Sequence, residues 1–269
     1  MKNFALHFQK FGQGEKTLLA FHGFGQHSGF YAGLAKKMPG TTIYSFDLPF
    51  HGKSRWTTEH LSFNKVHFIN FTEHFLKRHS IDRFSLVAFS MGARLAFALT
   101  EAFPQKVEKL LLISPDGITE SPWFRFATRT AAGNFVFRQL AGEKDYTPLL
   151  GRLATFLQMP EKLRKIAIRQ IQDRVWRQKI YHSWMVFRRF RLDVEAFASL
   201  VNQHQIAVEF ILAQKDPVIP WRHVKPLMKK TGHAHQYTVK KASHFTVLSR
   251  WIEQLPAPEQ KKTSPPEHL

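Results

Sequence analysis

The sequence predicts an α/β fold with a mostly parallel, doubly wound sheet, and three observations support this prediction. Short apolar segments rich in β-formers recur along the chain, and most of them end in a turn signal such as His-Gly or Asp-Leu-Pro. Segments between several of them have the composition and periodicity of helices. Three of the apolar segments hardly alternate between polar and apolar residues, as expected of strands covered on both faces. Alternation of strands with helices favours a doubly wound sheet.

Six segments are predicted as strands, four before residue 114 and two after residue 206. The segments that hardly alternate are the third, fourth and fifth of these, and we expect both of their faces to be buried. The six predicted strands are residues 17–21, 42–46, 84–89, 110–113, 207–213 and 236–239.

Two helices are predicted between the early strands. Residues 63–79 repeat apolar side chains at a spacing that places them along one helical stripe. Residues 93–103 are mostly strong helix formers, and Pro104 follows them directly. Each of these helices lies between two predicted strands, as a doubly wound sheet requires.

The stretch from about residue 118 to 201 interrupts the alternation and is predicted to be wholly helical. Pro160 is placed to open a helix at its first position, and apolar residues then recur at three- and four-residue steps as far as Val175. We therefore predict a helical cap inserted after the strand at about 109–114. The predicted division is a core of residues 1–117 and 202–255, a cap of residues 118–201 and a flexible tail of residues 256–269.

Length and composition limit the classes of protein that fit. The chain has 269 residues, enough for one domain of ordinary size with a substantial core. It has no cysteine, which excludes disulfides, thiolate nucleophiles and cysteine-based metal sites. The first ten residues hold no apolar run of the kind that a secretory signal needs, and no stretch reaches the apolar length of a membrane span. We therefore expect a cytoplasmic protein.

The charge of the chain is strongly positive. Lys and Arg number 39 against 20 Asp and Glu, which gives a formal net charge of +19. Such a charge favours association with an acidic carrier protein, an anionic surface or an anionic ligand. The alternative is a basic, solvated surface that has no partner. The basic residues are spread along the chain without a nucleic-acid-binding motif, so nucleic acid is not predicted as a partner.

The most informative motif is Ala-Phe-Ser-Met-Gly at residues 88–92, between a predicted strand and a predicted helix. A serine on so tight a turn presents its hydroxyl at the carboxyl edge of the sheet. Small residues two positions to either side let neighbouring backbones pass closely, although Ala88 replaces the first glycine of the usual Gly-x-Ser-x-Gly pattern. The helix adds its positive end and the N–H of Met91 near the place where an oxyanion would form.

Polar residues that follow other predicted strands complete the pattern. His-Gly-Phe-Gly at residues 22–25 follows the first strand, where the N–H of Phe24 can serve as a second oxyanion donor. Asp216 follows the fifth strand, and His244 follows the sixth. The order serine, aspartate, histidine along the chain is the nucleophile, acid and base order that belongs to one fold.

With these motifs the sequence resembles the α/β-hydrolase superfamily, specifically its small capped serine esterases and meta-cleavage-type hydrolases. The resemblance runs from about residue 4 to residue 251 in the order of the elements, and the cap is the least similar part. It includes the Asp-Leu-Pro-Phe-His-Gly-Lys-Ser turn at residues 47–54 and the Ser-His-Phe sequence at residues 243–245.

The resemblance implies a role for each residue of the motifs. Ser90 would be the nucleophile, His244 its base and Asp216 the acid that orients the histidine. Phe24 and Met91 would donate the two N–H groups of the oxyanion hole. The family needs no metal or organic cofactor, and none is predicted. These roles agree with the chemistry, because a serine hydroxyl is a weak nucleophile until a base takes its proton.

Several residues have alternative roles. Asp116 follows an earlier strand and is an alternative acid for the triad, or else a turn former. His233 and His235 are two residues apart but have no evident third partner, so no metal site is predicted. Most aromatic residues of the cap are expected in its core, with some in the substrate pocket. The candidates named for substrate binding are Trp123, Phe124 and Trp184. The residues expected to brace loops without moving protons are His22, His51 and Asp47.

The sequence therefore predicts a serine hydrolase that cleaves a carboxylic ester or thioester through an acyl-enzyme on Ser90. The aromatic cap favours an apolar acyl or aryl group, and the basic residues of the cap favour an anionic or carrier-bound substrate. The candidate contacts for that charge are Arg164, Lys165 and Arg169. A carbon–carbon bond hydrolase or lyase with the same triad is an alternative, as is a non-catalytic binding module on the same fold. A serine at the elbow argues against haloalkane dehalogenase and epoxide hydrolase activity.

Overall fold

A computed structural model describes residues 5–54, 56, 61–142, 144, 146, 161, 172–232 and 234–257. Within these ranges the chain forms a seven-stranded sheet in the order β1-β3-β2-β4-β5-β6-β7. Strand β1 runs antiparallel to β3, and all other neighbouring strands are parallel. The strands are β1 Phe8–Phe11, β2 Lys16–Phe21, β3 Thr41–Phe46, β4 Phe84–Phe89, β5 Val107–Ile113, β6 Ala207–Ala213 and β7 Ala234–Val239.

The predicted fold class is confirmed, and one strand was not predicted. All six predicted segments are strands, and their ends shift by no more than three residues. The additional strand is β1, whose Phe8 lies opposite Phe46 at the edge of the sheet. Its four residues, Phe-Gln-Lys-Phe, are too few to show a convincing alternation of polar and apolar side chains. Pairing with β3 is therefore what makes this segment a strand.

Helices follow most of the parallel strands, and several begin with a polar capping residue. The side chain of Asn64 accepts a hydrogen bond from the N–H of His67 and starts α2, and Asp193 caps α7 in the same way. No helix in the described ranges has both the length and the apolar character needed to cross a bilayer. The helices are α1 Ala32–Ala35, α2 Lys65–Arg78, α3 Ala93–Ala102, α4 Pro122–Arg129, α5 Ala131–Leu140, α6 Arg174–Phe187, α7 Val194–Gln203, α8 Trp221–Met228 and α9 Val247–Gln254.

The sheet is buried between two apolar layers. Leu19 and Phe21 of β2 face the layer that contains α2, α3, α7 and α8, whereas Leu18 and Ala20 face the layer that contains α1 and α9. This follows from the period of two in a strand, which sends successive side chains to opposite faces. Because both faces are covered, the carboxyl ends of the strands are where the sheet can present polar groups to a ligand.

The insertion after β5 supplies helices that lie over this edge. Helices α4, α5 and α6 share a small apolar cluster in which Phe137 contacts Tyr181 and Trp184. Helix α7 instead joins the core of the sheet, since Phe197 packs against Phe97 of α3 at 5.1 Å between ring centroids. The division into core, cap and tail remains a prediction, and the packing of α7 favours ending the cap before this helix. Most of the tail and of the helix predicted after Pro160 lie outside the described residues.

Candidate active site

Ser90 lies on a strained turn between β4 and α3. Its φ is +50°, in the left-handed region that non-glycine residues rarely occupy. A three-residue 3₁₀ turn, Ser90–Gly92, leads directly into the helix. A Cβ at Gly92 would lie 2.4 Å from the carbonyl oxygen of Phe21, so only glycine lets the turn approach β2 so closely. The predicted elbow is therefore present, and it positions the serine at the carboxyl edge of the sheet.

Ser90, His244 and Asp216 form one chain of hydrogen bonds. Nδ1 of His244 lies 2.8 Å from Oδ2 of Asp216, and Nε2 lies 2.9 Å from Oγ of Ser90. A carboxylate only accepts hydrogen bonds, so Nδ1 carries the proton and Nε2 is left to accept from the serine hydroxyl. His244 is buried, as are Ser90 and the Asp216 side chain. This is the geometry that a serine nucleophile and its base require.

Asp216 is held as a carboxylate by the groups around it. Its Oδ1 accepts the N–H of Val218 at 2.9 Å and the N–H of Ile219 at 2.8 Å. Burial alone would raise the pKa of Asp216, but the hydrogen bond and charge of His244 and the N–H of Ile219 outweigh it and lower the pKa below its ordinary value. Asp216 is therefore ionised at neutral pH and can orient the imidazole.

The alternative acid, Asp116, has a different partner. Nε of Arg94 donates to Oδ2 of Asp116 at 2.7 Å, and the guanidinium also lies 3.4 Å from Oε1 of Glu120. The backbone N–H of Asp116 donates to the carbonyl of Ser90, so this residue lies beside the elbow without contacting the histidine. Of the two aspartates that the sequence left open, the structure places Asp216 on His244.

A pair of buried histidines braces the loop after β2. Nδ1 of His22 donates to the carbonyl of Gly23 at 2.7 Å, and Nε2 accepts the N–H of Leu48 at 3.1 Å. The ring of His51 packs edge-on against Phe24, 5.2 Å between centroids. These contacts tie the loop that contains Phe24 to the turn after β3.

The neutral state of His22 gives the fold a pH dependence that can be measured. Burial lowers the pKa of His22 from 6.5 to about 4. The unfolded chain therefore binds a proton that the folded chain does not, and the free energy of unfolding falls as the pH drops from 6.5 to about 4. We expect this one residue to contribute a loss of about 3 kcal/mol over that range.

Urea unfolding of His22→Asn across this pH range tests the prediction. The variant should lose much of the dependence of stability on pH. Part of the dependence should remain, because burial also lowers the pKa of His51. His235→Asn, which alters an exposed histidine on β7, should keep the full slope. A slope in His22→Asn as steep as in the unaltered protein would contradict the assignment.

Asp47 braces the turn after β3, as expected from the sequence. Its carboxylate accepts the N–H of Ser28 at 2.6 Å, the N–H of Lys53 at 2.8 Å and Nδ1 of His7 at 2.8 Å. Burial opposes ionisation, but these hydrogen bonds outweigh it and lower the pKa of Asp47. Through these hydrogen bonds the residue supports the neighbouring loops.

A cavity of about 560 Å³ opens above Ser90 between the sheet edge and the cap. The residues predicted to donate to an oxyanion, Phe24 and Met91, both lie in its wall beside Ser90 and His244. The remaining wall is mainly apolar and comes from the cap and from three loops of the sheet domain. Its apolar side chains include Phe30, Phe124, Trp176, Ile180, Trp184, Phe187, Val218, Ile219 and Phe245.

Of the aromatic residues predicted to bind substrate, the structure places two in the cavity and one outside it. Phe124 and Trp184 contact each other in the wall, at 5.0 Å between centroids. Trp123 lies on the outer side of α4 with 51% of its surface exposed. The cations Arg164, Lys165 and Arg169 lie outside the described residues.

One polar feature of the cavity was not predicted from the sequence. Arg94 and Asp116 are the only Lys, Arg, Asp or Glu side chains in the part of the wall that the structure describes, and they form an ion pair. The guanidinium is buried and lies 4.8 Å from the ring centroid of Phe124. The spacing in the sequence could have indicated this position, because Arg94 follows Ser90 by about one helical turn and lies on the same face.

A resident metal has no evident place in the described part of the chain. No three His, Asp or Glu side chains come together there as a cluster that could hold a cation. His235 lies exposed on the edge strand β7, and His233 lies outside the described residues.

The sequence matches the family described as alpha/beta hydrolase fold over residues 16–250, and the chain belongs to this family. It is 23% identical over 250 residues to monoacylglycerol lipase ABHD6 of Homo sapiens, which covers 87% of this chain and 71% of the human protein. It is 31% identical over 121 residues to an abhydrolase domain-containing protein of Schizosaccharomyces pombe, which covers 44% of this chain and 42% of that protein. With several such curated relatives the match spans less than half of their length.

Solved structures share the same fold. A thermophilic esterase from Thermogutta terrifontis superposes with a TM-score of 0.66 at 13% identity, covering 92% of this chain and 90% of that chain. A thioesterase domain from the curacin biosynthetic pathway superposes with a TM-score of 0.61 at 14% identity, covering 94% and 99%. The chain is thus an alpha/beta hydrolase whose fold is shared with esterases and a thioesterase.

Proposed function

We propose that this protein hydrolyses a carboxylic ester or thioester through an acyl-enzyme on Ser90. The observation that supports this most directly is the hydrogen-bonded chain from Ser90 to His244 to Asp216 at the edge of an apolar cavity. Membership of the alpha/beta hydrolase family and likeness to proteins named as esterases support the same reaction class.

In the first half of the reaction Oγ of Ser90 attacks the carbonyl carbon of the ester while its proton passes to Nε2 of His244. Asp216 holds the ring in the required tautomer and stabilises the imidazolium. The tetrahedral intermediate collapses, the bond to the leaving alcohol or thiol breaks, and that group takes the proton from His244. Water then repeats the sequence on the acyl-enzyme and releases the acid.

Two backbone N–H groups stabilise the negative oxygen of the tetrahedral intermediate. Met91 supplies one at the start of α3, where the positive end of the helix adds to its effect. Phe24 supplies the second from the loop braced by His22 and His51. A donor of this kind contributes about 10²–10³-fold in rate.

The charge of the cavity favours a neutral apolar substrate over an anionic one. Arg94 is already bound to Asp116 and lies near Glu120, so the cation in the wall is neutralised. A substrate carboxylate in the cavity would meet the acidic side chain of Asp116 beside the guanidinium and would lose hydration without a free partner. The aromatic wall fits the apolar acyl or aryl group of an uncharged ester.

A panel of p-nitrophenyl esters tests both the reaction and the substrate class. We expect hydrolysis of neutral acyl esters, with kcat/KM rising with chain length until the cavity is filled. For acyl groups of matched length, kcat/KM should fall about tenfold or more when the acyl chain ends in a carboxylate.

The two parts of the proposal fail in different ways. A protein that hydrolyses no member of the panel would contradict the esterase assignment. Equal or faster hydrolysis of the carboxylate-terminated esters would leave the reaction class standing and reject the neutral substrate class. Arg94→Met is the matched variant. If Arg94 bound a substrate carboxylate, this variant would have a lower kcat/KM for the carboxylate-terminated esters than the unaltered protein.

A further inference from the structure

The outer face of the cap carries an unusual concentration of exposed apolar side chains. Eleven large hydrophobic side chains are exposed in the described part of the chain, and four of them lie within residues 123–136. This interfacial face comprises Trp123 and Phe126 on α4, which are 51% and 41% exposed, and Phe135 and Val136 on α5, which are 57% and 42% exposed. Single exposed apolar residues are ordinary, but a cluster of them marks an interaction surface.

The two helices form one hairpin on which all four side chains are exposed. Helix α4 turns Phe124, Ala127 and Thr128 inward and leaves Trp123 and Phe126 outside. The rings of Trp123 and Phe126 contact each other with 5.6 Å between their centroids. Helices α4 and α5 pack so closely that a Cβ at Gly133 would lie 2.1 Å from the carbonyl oxygen of Phe126. The exposed side chains of both helices therefore belong to one closely packed hairpin.

Within the hairpin that bears the interfacial face, residues 121–142, every charged side chain is positive. Residues 121–142 contain three arginines and no Asp or Glu. Arg129 pairs with Glu120, but Arg125 and Arg138 are exposed and have no carboxylate partner among the described residues. Positive side chains that flank exposed Trp and Phe on a helix are the pattern of an interfacial membrane segment. The formal net charge of +19 attracts the chain to the same anionic surface over a longer range.

From these observations we propose that the interfacial face docks the protein on a lipid bilayer that contains anionic phospholipid. The aromatic rings enter the headgroup region, where Trp is preferred, and Arg125 and Arg138 meet the lipid phosphates. Neither Arg125 nor Arg138 is among the described residues that line the cavity, so their charge is available to a partner outside it. An acidic protein partner would use the charge but would leave four apolar side chains unexplained.

Docking in this position has a consequence for the cavity. Helix α4 exposes Trp123 and Phe126 of the interfacial face on one side. On its other side Phe124 lies in the cavity wall. Three further exposed apolar side chains, Phe30, Val218 and Phe245, line the cavity itself. The bilayer would thus lie against the same helix that bounds the cavity. The docking is independent of catalysis and should persist in Ser90→Ala.

Co-sedimentation of the full chain with lipid vesicles tests the proposal. Vesicles of phosphatidylcholine mixed with phosphatidylglycerol should bind the protein, and binding should weaken with pure phosphatidylcholine and with rising salt. Trp123→Ala with Phe135→Ala should lower the partition coefficient about tenfold. The matched control removes exposed apolar side chains elsewhere, by Val66→Ala with Tyr237→Ala, and should leave binding unchanged.

A second pair of variants separates specific docking from general attraction. Arg125→Gln with Arg138→Gln should lower the partition about fivefold for each charge removed. Lys36→Gln with Arg78→Gln removes the same net charge elsewhere and should have a clearly smaller effect. Ser90→Ala, measured alongside, should bind as the unaltered protein does, which separates this proposal from that of the enzymatic function.

Three results would overturn the docking proposal. One is the absence of binding to either vesicle. Another is an equal loss of binding in the interfacial variants and in their controls, which would mean that net charge alone is responsible. The third is binding to acyl carrier protein, used as an acidic-protein probe, without binding to vesicles. In that case the binding would depend on the interfacial residues but the partner would be a protein. Circular dichroism melts of every variant show whether the folded state is retained.

Discussion

Replacing Ser90 by alanine should lower kcat for the best ester substrate by about 10⁶-fold, with little change in stability. The hydroxyl is the group that forms the acyl-enzyme. Among the described residues, its oxygen is the only side-chain atom hydrogen-bonded to Nε2 of His244. His244→Ala should cause a loss of similar size, because without the base the hydroxyl retains its proton. The double variant should be no slower than either single variant, since the two residues act as one unit.

A fluorophosphonate probe measures the same assignment without a substrate. It should add its mass to the unaltered protein and leave Ser90→Ala unmodified. Ser249→Ala, which alters an exposed serine on α9, is the matched control and should label and turn over as the unaltered protein does. Labelling that persists in Ser90→Ala would show that another residue is the nucleophile.

The second large effect is expected at the acid of the triad. Asp216→Asn should lower kcat by about 10⁴-fold, because an asparagine amide would favour the wrong tautomer of His244 and would not stabilise the imidazolium. KM should change little, since Asp216 contacts the histidine and not the substrate. The loss should be present at every pH at which His244 can act as a base.

Asp116→Asn is the comparison that decides between the two aspartates. It weakens the ion pair with Arg94 at the cavity wall, so we expect a lower free energy of unfolding and a change in kcat of about tenfold or less. A larger loss of kcat in Asp116→Asn than in Asp216→Asn would reverse the assignment of the acid. Thermal melts of both variants separate the effect on stability from the effect on catalysis.

The elbow and the order of the elements could be predicted because they are written in short, local patterns. A serine between a strand and a helix, flanked by small residues, specifies its own backbone turn, and Gly92 is required by the close carbonyl of Phe21. The parallel strands were found because they are apolar on both faces. Strand β1 was missed because its four residues form a strand only through pairing with β3 at the edge.

Surface and cavity positions were harder to assign from the chain. Aromatic residues such as Trp123, Phe126 and Phe135 were expected mostly in the core of the cap, but the structure leaves them exposed. Helical periodicity predicts which side chains share one face of a helix, but it does not predict whether that face packs against the protein or remains exposed. The same limitation hid the ion pair of Arg94 with Asp116, whose partners lie 22 residues apart on different elements.

By itself the sequence determined the class of fold, the turn that presents Ser90 and the chain order of the residues proposed as the triad, since each depends on neighbours in the chain. Only the tertiary structure decided which aspartate reaches His244, how the charge in the cavity is neutralised and which face of the cap remains open. Ser90 and His244 lie 154 residues apart, and their contact exists because parallel strands end at one edge of the sheet. Contacts over such separations depend on how whole elements pack, and that information is spread over the entire core.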